Sequence, residues 1–257
     1  MKGFVQVDID QAKKRIEWAQ DVISKNIPTK YMQGARFLDV GCGSGNGVIA
    51  ALTLGAVSAV GIDRDGEEFG DTHFAAMAEE FGVDVRATTL LATDVFNLSF
   101  FDPGFDVVMM YDAIEHVPNP SAFIKFCGNA LRPGGICLIM TSPLYYGAVG
   151  HHLWDHFPEA TMPWVHLYPD FEQRMVEAGV GDWGKQRYYE LNKVTHGQLL
   201  QYIDDAGMQL VADNSIYHDR FPPMLEQFRH LIDMSLVPSE QDLLCDYTSL
   251  LFTRPHG

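Results

Sequence analysis

Three glycines that alternate with other residues near position 40 form the segment of this 257-residue chain with the clearest chemical meaning. They are Gly41, Gly43 and Gly45, and Cys42 lies between the first two. Because glycine has no Cβ, the backbone can turn sharply at these positions and a ligand can approach it closely. Asp39 stands two positions before the first glycine. The segment therefore predicts a ligand-binding turn with a carboxylate at its start.

The spacing and the charge of this turn indicate the kind of ligand that it binds. Dinucleotide-binding turns follow the pattern G-x-G-x-x-G, but Asn46 or Val48 stands where the third glycine is needed here. A carboxylate at Asp39 repels a diphosphate and attracts a cation. The pattern therefore favours a cofactor that carries positive charge.

Two further acids stand at predicted strand ends. Asp63, followed by Arg64, closes the second predicted strand, where an acid holds ribose hydroxyls in related dinucleotide folds. Asp94 follows the third predicted strand, where its carboxylate could accept a hydrogen bond from an adenine amino group, and Val95 could pack on the ring. We include all four residues in the predicted cofactor site.

The elements that must position these residues alternate between short apolar runs and helical stretches. This alternation is typical of a parallel sheet built from βαβ units. The predicted strands are Arg36–Val40, Ala56–Ile62, Val83–Leu90, Phe105–Tyr111 and Gly135–Thr141, and the helices between them are Asn46–Thr53, Glu67–Phe81 and Pro120–Leu131.

The chain on either side of this pattern is interpreted as part of one domain, 1–257. Residues 1–35, with a helix over Gln11–Lys25, form an N-terminal helical cap. Residues 142–193 have no clean period and hold three of the four tryptophans and four of the ten histidines. Since a long structureless loop is uncommon in a compact domain, this segment predicts a partly helical substrate lid. A helix from Thr195 to Ala206, a strand over Met208–Asp213, a helix over Pro222–Met234 and a strand over Tyr247–Thr253 follow.

Composition excludes several classes of partner. The net charge is −16, and the 18 lysines and arginines form no cluster, so nucleic acid and anionic membrane surfaces are poor partners. The apolar runs are too short to span a bilayer. The four cysteines show no metal-binding spacing and the N-terminus no signal pattern, so we expect reduced thiols and a cytoplasmic protein.

Together, the motifs resemble those of class I S-adenosylmethionine-dependent methyltransferases. The resemblance covers roughly residues 36–141 in the expected order. It implies an α/β fold with a three-layer Rossmann-like sheet, mostly parallel with an antiparallel C-terminal strand, and a lid inserted after strand five. It also implies S-adenosylmethionine as the cofactor. The matching segments are Asp39–Gly45, Gly61–Asp63, Thr93–Val95, Phe105–His116 and Leu131–Gly135.

The resemblance also implies a role for individual residues. Asp39 and the loop backbone would hold the methionine portion, Asp63 the ribose, and Asp94 with Val95 the adenine. Tyr111 and Asp112 would lie under the methionine end. The segment 112–117 is similar to the one after strand four in small-molecule O- and N-methyltransferases related to the ubiquinone-pathway enzymes.

Methyl transfer from a sulfonium requires alignment of the acceptor, removal of its proton and exclusion of water. His116, placed at the start of the helix after strand four, is the first candidate base, and Tyr145 and His152 of the lid are the other candidate catalytic residues. His152 and His156 would share a helical face and, with His166 or Asp155, could bind a divalent metal. Ordinary lid packing also explains these histidines, so we assign no metal ligand.

The main hypothesis is methyl transfer to an oxygen or nitrogen atom of a small metabolite, with an aromatic or amine-bearing acceptor, by a monomer or homodimer. The alternative is a non-catalytic subunit of the same fold that binds S-adenosylmethionine. An NAD-dependent oxidoreductase is disfavoured by the glycine spacing. Methylation of nucleic-acid bases is disfavoured because Tyr111–Ile114 replaces the expected Pro-Pro tetrad after strand four.

Overall fold

The computed structural model of the chain describes residues 9–66, 71–98 and 104–256. Seven strands form one sheet in the order β3-β2-β1-β4-β5-β7-β6. The strands are β1 (Arg36–Val40), β2 (Ser58–Asp63), β3 (Thr88–Ala92), β4 (Phe105–Tyr111), β5 (Leu131–Thr141), β6 (Gln209–Asp213) and β7 (Thr248–Thr253).

The strand register brings the predicted site residues to one edge of the sheet. β1 lies between β2 and β4 and is parallel to both, with Asp39 opposite Gly61 on one side and Met109 on the other. Asp63 pairs with Ala92, directly before the segment that leads to Asp94. Because these strands run in the same direction, their carboxyl ends meet at a common edge, which is where open α/β sheets bind ligands.

Helices cover both faces of the sheet and complete three layers. α1, α3 and α4 pack on one face, and α5 and α8 pack on the other. Both faces of β5 are apolar because successive side chains of a strand point to opposite faces of the sheet. Leu138 packs in the apolar core on one face, and Ile139 packs in the core on the other. The helices are α1 (Ile9–Asn26), α2 (Thr29–Met32), α3 (Asn46–Thr53), α4 (Asp71–Glu80), α5 (Pro120–Ala130), α6 (Phe171–Glu177), α7 (Asp182–Glu190), α8 (His196–Asp205), α9 (Phe221–Phe228) and α10 (Glu240–Leu244).

The C-terminal strands confirm the expected change of direction. β7 lies between β5 and β6 and is antiparallel to both of them. The predicted three-layer α/β sheet, mostly parallel with an antiparallel C-terminal strand, is therefore confirmed.

The lid segment, residues 142–193, is helical only in its second half. It contains α6 and α7, whereas residues 142–164 form successive turns. The prediction that His152 and His156 share a helical face is wrong, because His152 adopts a left-handed backbone conformation with φ of 56° inside these turns. The lid segment packs with α9 and α10 around a third apolar core that includes the fully buried Trp164.

Some predicted boundaries differ from the observed ones for local reasons. β3 begins later than expected because the Asp84 side chain accepts a hydrogen bond from the Arg86 N–H and stabilises a turn of 3-10 helix over Val85–Ala87. The predicted helix over Pro222–Met234 breaks into α9 and two 3-10 turns. Residues 67–70 of the predicted Glu67–Phe81 helix lie outside the described residues. Among the described helices, none has the length and apolar character needed to cross a membrane.

Candidate functional site

The glycine turn links β1 to α3 with a backbone that other residues rarely adopt. Gly41, Gly43 and Gly45 have φ angles of 76°, 49° and 84°, all in the left-handed region. The Gly43 N–H donates a hydrogen bond of 2.9 Å to Oδ2 of Asp63. The end of β2 therefore fixes the position of the turn that follows β1.

Asp39 is almost completely buried beneath this turn, with 3% of its surface exposed. Its carboxylate lies against Gly47 in the first turn of α3, where a Cβ would collide with Oδ2 of Asp39. Burial, followed by the nearby charge of Asp63, raises the pKa of Asp39 to about 7. The carboxylate is thus poorly solvated, and a cationic group beside it would stabilise its ionised form.

A large cavity of about 600 Å³ opens at the carboxyl edge of the sheet. Its walls come from the ends of β1, β2, β3 and β4 on one side and from α7 of the lid segment on the other. Predicted site residues in its wall are Gly41, Gly43, Asp63, Arg64, Asp94, Val95, Asp112 and His116.

A small cavity of about 210 Å³ adjoins the large one, because Gly41 lines both. Predicted residues Asp39, Cys42 and Tyr111 line this second cavity. The remaining predicted cofactor residue, Gly45, is not among the described residues that line either cavity. It instead precedes the first turn of α3, and the Phe74 ring occupies the space where its Cβ would lie.

The wall of the small cavity that comes from α1 was not predicted. Arg15 and Trp18 come from α1, together with Ala19 and Val22. The spacing of these four residues places them on one face of a helix, so the helical cap contributes a wall of the cavity. That periodicity was visible in the sequence, but nothing local indicated that this face turns toward the glycine turn.

The acids of the large cavity are held by backbone donors. Asp63 accepts hydrogen bonds from the N–H groups of Gly43 and Asp65, one at each oxygen, both at 2.9 Å. Oδ1 of Asp94 accepts one from the Phe96 N–H, also at 2.9 Å. Each carboxylate oxygen can accept more than one hydrogen bond, so these acids are oriented and retain capacity for a ligand's hydroxyl or amino groups.

The segment after β4 has an unusual backbone and carries three ionisable groups. Asp112 has a φ of 48°, and its carboxylate accepts a hydrogen bond of 3.1 Å from the Ser142 N–H. Burial raises its pKa to about 6. His116 belongs to a separate 3-10 turn and does not begin the following helix, because Asn119 caps α5 at its own start.

Glu115 is buried, whereas His116 is partly buried in the wall of the large cavity. Glu115 is 1% exposed, and its Oε2 accepts a hydrogen bond of 2.6 Å from the Thr141 hydroxyl. Burial raises the pKa of Glu115 to about 7. Burial and the neighbouring His152 lower the pKa of His116 to about 4. At neutral pH the His116 imidazole is therefore uncharged.

Three of these residues could hold a divalent cation. Ligand atoms of Glu115, His116 and His152 lie within 4.8 Å of one another, and the rings of the two histidines are 5.5 Å apart. The lid histidines were expected to group differently, with His152 beside His156. His156 instead lies at the surface and hydrogen-bonds the Ala178 carbonyl.

The remaining lid residues form a buried network away from the described cavity walls. Nε2 of His166 donates to the Tyr145 carbonyl at 2.6 Å, and His151 lies 5.5 Å from His166 between ring centroids. The Tyr145 hydroxyl is 2.9 Å from that of Tyr188. Among the three predicted catalytic residues, His116 lines the large cavity, whereas Tyr145, which is buried, and His152 are not among the described residues that line either cavity.

Comparison with known proteins agrees with this geometry. A profile described as a methyltransferase domain matches residues 12–185, which is more than half of the chain. The ubiquinone biosynthesis O-methyltransferase of Parvibaculum lavamentivorans is 32% identical over 170 residues, covering 64% of this chain and 63% of that protein. The chain thus spans less than two thirds of the length of this relative.

Solved structures share the fold. The S-adenosylmethionine-dependent methyltransferase from Mesorhizobium loti has a TM-score of 0.57 at 19% identity, covering 95% of this chain and all of that one. Phosphoethanolamine N-methyltransferase 2 of Haemonchus contortus, in complex with S-adenosyl-L-methionine, has a TM-score of 0.58 at 18% identity, covering 93% of this chain and 53% of that one. The profile match shows that the chain belongs to the methyltransferase domain family, and the structural similarities show that it shares the fold of these enzymes.

Proposed function

We propose that this chain transfers a methyl group from S-adenosylmethionine to an oxygen or nitrogen atom of a small metabolite. The observation that carries the proposal is the buried carboxylate of Asp39 beside three left-handed glycines, in the wall of a small cavity that shares Gly41 with the large one. An oxygen acceptor is favoured, because curated relatives are named as O-methyltransferases. The same names favour catalysis over a non-catalytic binding subunit.

The side chains around the two cavities fit this cofactor. In the small cavity, Asp39 offers a carboxylate to the α-ammonium of the methionine portion, and Arg15 offers a guanidinium to its carboxylate. In the large cavity, Asp63 would accept hydrogen bonds from the ribose hydroxyls, and Asp94 with Val95 would hold the adenine. When bound, the cofactor supplies a methyl group already activated by a sulfonium.

The residues after β4 would prepare the acceptor. The neutral imidazole of His116 would take the proton from the acceptor hydroxyl or amine as the new bond to the methyl carbon forms in line with the departing sulfur. Asp112 would face the cofactor, beside the methionine end. His152, whose Nε2 lies 3.3 Å from the Pro143 carbonyl, would orient His116 and hold it uncharged.

The lid segment and the helical cap would exclude water and complete the site. We propose residues 142–193 as the substrate lid and residues 1–35 as the cap, within a single domain. Tyr145 would act as a positioning residue, since its carbonyl and hydroxyl join His166 and Tyr188 inside the lid core. The acidic net charge supports a small-molecule partner rather than nucleic acid, in a cytoplasmic monomer or homodimer.

Calorimetry with S-adenosylhomocysteine tests the proposed cofactor. We expect stoichiometric binding, no binding of NAD⁺, and a loss of at least about tenfold in affinity for Asp39→Asn, because a charge-assisted hydrogen bond is removed. Asp84→Asn, which changes an exposed acid paired with Arg86, is the matched control and should bind normally. Absence of binding by the unchanged protein would refute the proposal.

Transfer of a radiolabelled methyl group to a panel of phenols, catechols and amines tests the reaction itself. We expect turnover of at least one acceptor class. Binding of S-adenosylhomocysteine without transfer to any acceptor would favour the non-catalytic subunit instead.

A further inference from the structure

One face of α7 forms a wall of the large cavity. Trp183, Arg187 and Glu190 all line it, and their spacing places them along one side of the helix. No residue of α7 is fully buried, although Tyr188 packs, partly buried, against the lid core. Its cavity-facing side chains are therefore available to a ligand.

Arg187 has an aromatic neighbour and, among the described residues, no carboxylate at ion-pair distance, although its charge acts on the buried Glu115. Its guanidinium lies 5.0 Å from the centroid of the Trp183 ring. Within the described parts of the chain, Arg187 forms no ion pair, whereas Arg64, the other cation of this cavity wall, contacts Glu190 at 4.0 Å. An arginine without a carboxylate partner in a cavity is suited to binding an anion, since its planar fork matches a carboxylate or a phosphate.

Trp183 is the second unusual feature of this wall. It is 72% exposed although it faces a cavity, so most of its ring has no protein contact. A large apolar ring exposed in this way gains free energy when a flat ligand covers it. Together, Trp183 and Arg187 offer an aromatic surface beside a cation.

The opposite wall carries three carboxylates as well as Arg64, and Glu190 lies near Arg187 on α7. Asp63, Asp94 and Asp112 line the sheet side of the cavity, where the proposed function places the cofactor. In a chain of net charge −16, a local cation would favour the entry of an anionic acceptor into this cleft. Arg187 supplies that cation on the wall away from these acids, and its field reaches both Glu115 and His116.

We propose that Trp183 and Arg187 select the acceptor: a molecule with an aromatic ring that stacks on Trp183 and an anionic group, carboxylate or phosphate, that binds Arg187. This inference rests on the proposed function, because it concerns the acceptor of the same reaction. It makes both residues specificity-determining residues of the lid, and it narrows the substrate class to aromatic acids or aromatic phosphates.

Titrations of the protein saturated with S-adenosylhomocysteine test the inference. The probes are 4-hydroxybenzoate, 4-hydroxyphenyl phosphate and the neutral 4-hydroxybenzamide, which share one ring and differ in charge. We expect at least one anion to bind about tenfold more tightly than the amide, as for a charge-assisted hydrogen bond. The ratio of the dissociation constants of the two anions shows whether the site prefers a carboxylate or a phosphate.

Variants of α7 separate the two contributions. Arg187→Gln should reduce the preference for the anion to less than about twofold, whereas Lys185→Gln, which removes a charge from the same helix outside the described cavity wall, should keep it. Trp183→Leu should lower the affinity for all three probes by a similar factor. Equal binding of anions and amide, no binding of any probe, or an anion preference retained in Arg187→Gln would overturn the inference.

The experiment distinguishes this inference from the function on which it rests. Saturation with S-adenosylhomocysteine precedes the acceptor titrations, so failure at that step overturns the proposed function and the inference together. Normal cofactor binding without anion preference overturns the inference alone.

Discussion

The carboxylate of Asp39 in β1 lies against the α-carbon of Gly47 in α3, so closely that no side chain fits at position 47. A Cβ there would also approach Cε of Met109 at 2.8 Å. Gly47 lies outside the three alternating glycines of the turn. The role of Gly47 in the site is therefore steric, because its missing side chain leaves room for the Asp39 carboxylate in the wall of the small cavity.

Gly47→Ala should displace the Asp39 carboxylate and weaken S-adenosylhomocysteine binding by about tenfold or more, the scale of one charge-assisted hydrogen bond. Calorimetry gives the affinity, and circular dichroism shows whether the fold is retained. Gly197→Ala in α8 is the control, since its Cβ would meet only Thr195 Oγ1 at 3.9 Å. Unchanged affinity in a folded Gly47→Ala protein would show that the acid does not contact the cofactor.

Cofactor affinity should depend on pH through Asp39. Its pKa of about 7 means that the free protein must lose a proton before the carboxylate can receive a cationic group. Affinity should therefore fall by up to about tenfold for each pH unit below the pKa, since one unit corresponds to about 1.36 kcal/mol. Titrations from about pH 5.5 to about pH 8.5 measure this slope. The slope should disappear in Asp39→Asn, and an equal slope in both proteins would assign it to another group.

Stability should depend on the same group in the opposite sense. The folded protein holds the Asp39 proton up to about pH 7, whereas the unfolded chain releases it near the ordinary value of 3.8. The free energy of unfolding therefore falls as pH rises through this window, and ionised Asp39 destabilises the protein without its cofactor.

Asp39→Asn should remove this cost and raise the melting temperature at about pH 8 by at least about 2 °C, with a smaller difference at about pH 5. Asp84→Asn is the contrast: the Arg86 side chain lowers the pKa of Asp84 to about 2, so its removal should give no such gain. A melting temperature of Asp39→Asn below that of the unchanged protein at pH 8 would contradict this account.

The fold and much of the cofactor site follow from local sequence signals. Strand ends carry Asp39, Asp63 and Asp94, and parallel strands bring such ends to one edge, so their position around the cavities is predictable. The helix α8 has a capping box between Thr195 and Gln198, which is a short-range pattern that the sequence shows directly.

The parts that the sequence did not predict depend on long-range packing. Arg15 reaches the site only because α1 packs beside the glycine turn. His152 approaches His116 through turns that include its own left-handed backbone, and hydrophobic periodicity carries no information about such turns. Tyr145 has a chemically useful side chain, but packing around His166 and Tyr188 buries it.

His116→Ala should separate catalysis from binding. If His116 is the base, the turnover number should fall by about 10²- to 10⁴-fold while S-adenosylhomocysteine affinity stays within about twofold. The measurement is methyl transfer at saturating cofactor, with and without a chelator such as EDTA. Loss of activity of the unchanged protein in EDTA, restored by a divalent cation, would instead indicate a metal held by Glu115, His116 and His152.

The buried pair of Thr141 and Glu115 should make stability sensitive to one hydroxyl group. Thr141 is fully buried, and its hydroxyl partly offsets the effect of burial, which raises the pKa of Glu115 to about 7. Thr141→Val keeps the shape and leaves the carboxylate without this donor, at an expected cost of about 1–3 kcal/mol.

The loss in Thr141→Val should be larger at about pH 8, where Glu115 must ionise, than at about pH 5, where it keeps its proton in the folded protein. Thermal unfolding at the two pH values measures the difference, and Thr141→Ser, which retains the hydroxyl, should remove most of the pH-dependent part. An equal loss at both pH values, or an equal loss in the serine variant, would mean that packing rather than the hydrogen bond to Glu115 accounts for the effect.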